Sequence, residues 1–298
     1  MPITREQWAE VESNTYELWD QLDKDNVDFN AMLYNTKKST KSQENHLGIG
    51  SMGQMAPWTG TVSYADFKKG YEKGYRHAKY SSGIQAEAEL YLFSEYEEIA
   101  KRTSKLNESV YKTVQAHGVS TFNNAFDATF TGPDGVALCS TAHPYSPSDA
   151  TVQSNLETLA LTPPNLRTVY NKMLKLKDDK GDLSFTMPTI LLTGIEYDDE
   201  AEKICGPGAG DREPGTAEND SNTMKGRLTH IFHPLITGKK WFLIDGKRMK
   251  NRLYWYNARI PKIETDGDFD TEVQKFKVVG LWSYGYDSFD FLYGSSAD

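Results

Sequence analysis

One amphipathic run between Ile84 and Phe126 constrains this chain more than any other part of it. Leu92, Tyr96, Ile99, Thr103, Leu106, Val110 and Val114 recur at steps of four and three, which lays a mostly apolar stripe along one helix. The opposite side is polar. Glu97/Lys101, Glu98/Arg102 and Glu108/Lys112 each set the acid four residues before the base, the favourable order. No proline interrupts the run and Gly118 offers a stop, so the spacing predicts a helix from about Glu87 to about His117. At 1.5 Å per residue such a helix is roughly 45 Å long, well beyond three or four turns. That length suits a scaffold; an ordinary amphipathic core helix is the alternative.

The 298 residues suffice for one large domain or two ordinary ones. No apolar run reaches the ~18 residues that span a bilayer, so no membrane is expected, and the first residues lack the basic-then-apolar order of an export signal. Cys139 and Cys205 do not make a disulfide framework, which points to a reducing cytosol. A net charge of −9 argues against a chain whose main task is gripping nucleic acid, since that grip needs Lys and Arg. The 17 tyrosines and 6 tryptophans exceed what a core requires and point to subunit interfaces.

Near the start, Trp8, Val11, Leu18, Trp19 and Leu22 share one face of a helix capped by Thr4, and the two tryptophans need a surface, on a neighbour or on the chain's own core. Residues 37–45 read as a polar loop. Gly48, Gly50 and Gly53 satisfy a dinucleotide fingerprint only on paper, because no apolar strand precedes them and Pro57 blocks the helix that should follow. From Thr59 to Gly83, Tyr64, Phe67, Tyr71, Tyr75 and Tyr80 interleave with Lys68, Lys69, Lys73, Arg76 and Lys79. This stretch reads as an extended hairpin with no core of its own, so its aromatics are expected to pack on a neighbouring subunit. Single-stranded nucleic acid is the lesser use of such a pattern.

After the long helix, Gly132-Pro133-Asp134-Gly135 is a tight turn. A helix is expected over 165–177, strands at 190–192, 228–232 and 241–244, a short helix over 198–204, and a closing run of strands over 273–292. Together these compose an α+β fold. Cys139/His143 and His230/His233 have permissive metal spacing, but Pro144 and Pro234 mark turns, and a small buried cysteine with two turn histidines is the plainer account. Asp266, Asp268 and Asp270 lack the glycine and glutamate of a calcium loop. No catalytic constellation and no cofactor is expected.

The order of segments resembles the major capsid proteins of tailed bacteriophages, with the Hong Kong 97 fold, and most of all the Mu-like major head subunits. Phe122-Asn123-Asn124-Ala125-Phe126, Gly132 to Leu138 and Ser140-Thr141-Ala142-His143-Pro144 carry the likeness. So do Leu161-Thr162 with Leu166, Pro188 before Ile190-Leu191-Leu192, Ala201, Trp241 to Asp245, Gly285-Tyr286 and Phe291-Leu292-Tyr293-Gly294. The resemblance implies an N-terminal arm (1–57), an E-loop hairpin (58–82), a peripheral domain with the spine helix (83–144), an axial domain (145–244) and a return to the peripheral domain (245–298).

It also implies function. The protein would self-assemble into hexamers and pentamers of an icosahedral shell around double-stranded DNA contacted non-specifically. A scaffolding protein would act in trans, since the arm is short and begins at Met1, and decoration, portal and connector proteins are further expected partners. Trp8, Trp19, Trp58, Tyr64, Phe67, Tyr71 and Tyr75 are the expected assembly contacts. Lys68, Lys69, Lys73 and Lys79 are placed for the lysine cross-link of some relatives, although any basic hairpin has lysines and none is expected. An encapsulin-like compartment and a cytosolic metal or cysteine enzyme are the alternatives.

Overall fold

In the computed structural model, residues 5–52, 55, 57–58, 60, 62, 64, 67–87, 90, 96–214, 221–268 and 273–297 are described. The helices are α1 (Arg5–Asp25), α2 (Phe29–Leu33), α3 (Tyr96–Asn123), α4 (Pro163–Met173), α5 (Asp198–Cys205) and α6 (Gly246–Arg252). The strands are β1 (Asn35–Lys38), β2 (Gln43–Ile49), β3 (Lys69–Arg76), β4 (Ala78–Glu87), β5 (His143–Ser146), β6 (Asp149–Gln153), β7 (Leu156–Glu157), β8 (Ile190–Thr193), β9 (Thr229–Phe232), β10 (Lys240–Ile244), β11 (Leu253–Asp268), β12 (Val273–Tyr286) and β13 (Leu292–Ser296).

The long helix is α3, and its stripe faces inward: Ile99, Thr103 and Leu106 are buried, and the side continues through Val119 and Phe122. All three expected ion pairs form, at 3.7 Å for Glu97–Lys101, 3.2 Å for Glu98–Arg102 and 2.6 Å for Glu108–Lys112. Exposed pairs of this kind are screened by solvent and contribute little to stability. Both ends differ from expectation. Glu87 is the last residue of β4, paired with Val273, and the helix runs past Gly118 to Asn123. Leu92 lies outside the described residues.

Two sheets share the core. One has the order β1-β11-β12-β4, antiparallel except for the parallel β1–β11 pair; the other has the order β7-β13-β10-β8-β9. In β10 the run Trp241-Phe242-Leu243-Ile244 is wholly buried because both faces of the second sheet are covered. Trp241 and Leu243 join Leu166, Val169 and Met173 of α4, while Phe242 and Ile244 join Phe122 of α3 and Trp255 and Trp282 of the first sheet. The third cluster seats Trp19 of α1 on Ile99 and Leu106 of α3 and on Phe276 and Val278 of β12. Helix α4 begins as the sequence dictates: Thr162 caps Asn165 N, and two prolines occupy the first turn. It ends at Met173, four residues before the expected Lys177.

Three placements depart from the sequence reading. Of the expected loop over 37–45, residues 37–38 belong to β1 and residues 43–45 to β2. The hairpin does not run over 59–83: β3 pairs with β2, and β4 leaves it to become the edge of the first sheet. Strand β13, from the far end of the chain, lies inside the second sheet between β7 and β10, so the chain after Ile244 serves both sheets.

Candidate assembly surface

Strands β2 and β3 make a two-stranded ribbon. Gly48 and Gly70 face each other across it, where a Cβ on Gly48 would lie 2.9 Å from Tyr71 O and one on Gly70 2.8 Å from Gly48 C. The close approach coincides with the register shift between Leu47 and Ile49. The ribbon is fixed at its base. Tyr75 is 4% exposed, packs on Gly285 of β12, and shares a ring cluster with His46, Tyr254 and Tyr256. His46 also meets Asp287 at 3.5 Å and the Tyr256 hydroxyl. Burial pushes the Asp287 carboxyl up, against the pull of Arg252 and His46.

Beyond the base, Lys73 Nζ donates to Thr131 O at 3.1 Å, and Ser51 is held by N–H to Asp179 Oδ1 at 2.9 Å and by Oγ to Asp178 Oδ2 at 2.8 Å. Between these anchors the ribbon overhangs a cleft of about 720 Å3, whose far wall includes Arg248, Arg252, Asp287 and Asp290. Arg248 reaches Asp290 at 2.6 Å and Arg252 reaches it at 3.2 Å, so the wall holds its own ion pairs.

The segment joining the two strands carries the apolar surface. Trp58, Tyr64 and Phe67 are 73%, 92% and 60% exposed, with Met52 and Met55 also in solvent. These are three of the expected contact residues. The others separate from them: Trp19 is 4% exposed in the α1–α3 seam, Tyr71 is half-buried, and Tyr75 belongs to the chain's own core. Trp19 and Tyr75 are therefore corrected, because intramolecular packing already covers them. The Trp8 side chain lies outside the described residues. Sequence reasoning missed Leu47 and Ile49, exposed on β2, and a second apolar patch at Leu183, Phe185 and Met187. Phe185 is held there at φ +52°, an unusual conformation for a bulky residue. Hydropathy could have found neither, since isolated apolar residues among polar ones look like half-buried strand.

The candidate chemical groups are structural. Cys139 is buried and burial pushes its thiol well up, which removes the thiolate a nucleophile needs. His143 Nδ1 is 2.5 Å from Asp134, its Nε2 donates to Asn155 Oδ1 at 3.1 Å, and its ring stacks on Phe289 at 3.8 Å. Asn155 Nδ2 is committed to the carbonyls of Leu138 and Leu292, so this histidine pins the Gly132–Gly135 turn to β5 and β13. His230 meets Thr193 Oγ1 at 2.8 Å, and His233 Nδ1 accepts from Leu235 N. Among the described residues no three metal-binding side chains converge.

No curated protein matches this chain. The fold is shared with solved structures: the procapsid of bacteriophage JBD30 (TM-score 0.59, 10% identity, 99% of this chain and 77% of that one) and the mature capsid of bacteriophage PhiM1 (0.56, 12%, 91% and 87%). A virus-like particle from Pyrococcus furiosus is also similar (0.54, 8%, 95% and 98%). At such identities the likeness is one of fold. The sequence itself matches the phage capsid protein model over residues 70–292, from the second strand of the ribbon to the start of the last strand. The match is to that family as a whole and does not single out the Mu-like branch. With most of its length covered by the model, this chain belongs to the phage capsid protein family and is a structural component of the virion shell, not an enzyme.

Proposed function

We propose that the protein is the major head subunit of a tailed phage, which joins copies of itself as hexamers and pentamers into an icosahedral shell around double-stranded DNA. The observation that carries this reading is the ribbon: an overhanging two-stranded arm whose connecting segment exposes Trp58, Tyr64 and Phe67 to solvent. Aromatic anchors of this kind hold an interface when a partner desolvates them. The ribbon acts as the E-loop, spanning roughly 43–76 and laid over a neighbour. The first sheet with α3 forms the peripheral part, and the second sheet with α4 and α5 forms the axial part. The net charge of −9 keeps packaged DNA from sticking to the wall. A scaffolding protein acting in trans, and decoration, portal and connector proteins, complete the assembly.

A second reading is an encapsulin-like compartment shell holding protein cargo, built on the same fold that a virus-like particle from Pyrococcus furiosus shares. Sedimentation velocity with electron microscopy of the fast fraction tests both. Shells enclosing nuclease-protected DNA support the head subunit, shells enclosing a protein cargo support the compartment, and a persistent 33.6 kDa monomer overturns both.

A further inference from the structure

The cleft beneath the ribbon carries apolar groups that the folded chain leaves in water. Ile49 and Met52 line it from the ribbon, Leu183 and Phe185 from the body, and all four are between 52% and 83% exposed. The body side is held in place from within. Ser184 and Thr186 are buried: Ser184 N–H donates to Leu176 O at 2.8 Å, Arg248 donates to Ser184 O, and Met187 N–H donates to Asp245 Oδ2 at 3.0 Å. With its alternate residues tied down in this way, the segment turns Leu183, Phe185 and Met187 out to solvent, and Phe185 keeps its left-handed backbone there. A surface fixed before its partner arrives loses little freedom on binding.

Charge narrows what can fill the cleft. Its described lining has five basic side chains and five carboxylates, with Arg248 and Arg252 both on Asp290, so it offers no net charge to a phosphate, a polyamine or a nucleic-acid backbone. An uncharged, amphipathic insert suits it. The segment from Met55 to Phe67 has that character: Asp66 is its one charge, and Met55, Trp58, Val62, Tyr64 and Phe67 are its large apolar residues. All five are at least 60% exposed, so the tip does not fill the cleft of its own chain. A volume of about 720 Å3 falls in the range, ~300–1,000 Å3, of pockets that enclose a few rings. Tyrosine and tryptophan suit a wall that is part apolar and part polar.

We propose that the cleft of one copy receives the Met55–Phe67 tip of the next copy, its aromatic rings seating against Ile49, Leu183 and Phe185. The proposal rests on the head-subunit reading and adds to it the surface that receives the arm. Tip and cleft are different surfaces of the same chain, so the contact is heterologous, and a heterologous contact repeated about an axis closes into a ring. Rings of five and six are the capsomers which that reading requires. A tip folded back into its own cleft, or two tips meeting each other, would build no ring.

Cross-linking in assembled protein tests this with Val62→Cys in the tip and Asp182→Cys on the cleft wall, positions that leave the aromatic anchors in place. Cys139 and Cys205 are buried and stay silent. Treated with a short bismaleimide, the double variant should give a ladder from dimer up to closed pentamer and hexamer on a denaturing gel, and each single variant a monomer. A monomer band alone from the double variant, or dimers from Val62→Cys by itself, overturns the proposal. The second measurement uses Leu183→Ser/Phe185→Gly, in which glycine accepts the backbone of residue 185 and the fold is spared. The concentration at which shells close should rise about tenfold or more, and an unchanged threshold overturns the proposal as well. In each of these failures shells still form and the head-subunit reading stands, whereas a parent chain that never assembles removes that reading and the proposal with it.

Discussion

Asn30 and Gly118 meet where only a hydrogen fits: a Cβ on residue 118 would overlap the Asn30 amide oxygen, while Asn30 Nδ2 donates to Val114 O at 3.0 Å. Next to this contact the Tyr34 hydroxyl donates to Gly118 O at 2.6 Å. The glycine that reads as a helix stop is the point where α2 docks near the C-terminal end of the spine.

Gly118→Ala therefore runs against helix propensity. Propensity alone favours Ala by about 1 kcal/mol, whereas forcing a methyl into a filled contact costs about 1–3 kcal/mol. A net loss of about 1 kcal/mol is expected as a lower urea midpoint. Pairing the change with Asn30→Ala recovers part of it; a more stable single variant would show that α2 does not seat there.

Tyr75 gives a contrast between two substitutions. Its hydroxyl is buried with no partner, while its ring fills the base of the ribbon. Tyr75→Phe removes the orphan oxygen and should be neutral or stabilising by about 1 kcal/mol. Tyr75→Ser removes the ring and should cost about 3–5 kcal/mol, read by thermal unfolding of the unassembled chain. Equal effects from both would place Tyr75 outside the core.

What the sequence showed and what it hid divide along physical lines. The spine was legible because its stripe and ion pairs are local. Its start was not, because Glu87 is strand only through Val273, which is far along the chain. Strand β11 went unread: Leu253 to Tyr256 are four buried residues in a row and then the strand turns polar, so no two-residue alternation marks it. Strand β2 alternates half-buried Glu44, His46 and Gly48 with exposed neighbours, a pattern that polar composition conceals. Of the candidate contacts, the sequence could flag aromatic excess but not which rings the chain covers itself. Trp58 and Trp19 look alike until the fold buries one of them.

Alkaline pH should unfold this protein early. Burial pushes up the thiol of Cys139, that of Cys205 to about 12, and the hydroxyls of Tyr34, Tyr75, Tyr256, Tyr286 and Tyr293. The folded state thus keeps protons that the unfolded chain releases. The stability these groups contribute is full below pH about 8.5 and is lost as pH rises through 9 to 12. Urea midpoints at pH 7, 9 and 10.5 should fall in that order, and native protein at pH 8 should show no thiol reactive to a disulfide reagent until it is unfolded. A readily titrated native cysteine would contradict the burial of both.

The exposed aromatics separate folding from assembly. Trp58, Tyr64 and Phe67 together present large apolar rings that the folded chain leaves in water, so replacing all three with serine removes little intramolecular packing. The monomer's melting temperature should change by less than its Tyr75→Ser counterpart, since surface substitutions stay within about 0.5 kcal/mol each. Assembly should suffer instead. Losing an interfacial aromatic anchor costs on the order of 2 kcal/mol, and every copy in a shell repeats the loss. Sedimentation should then show capsomers or monomers at concentrations where the parent chain closes into shells. Shell formation at the parent's threshold would show that the segment between β2 and β3 makes no contact that matters, and would move attention to the patch around Phe185.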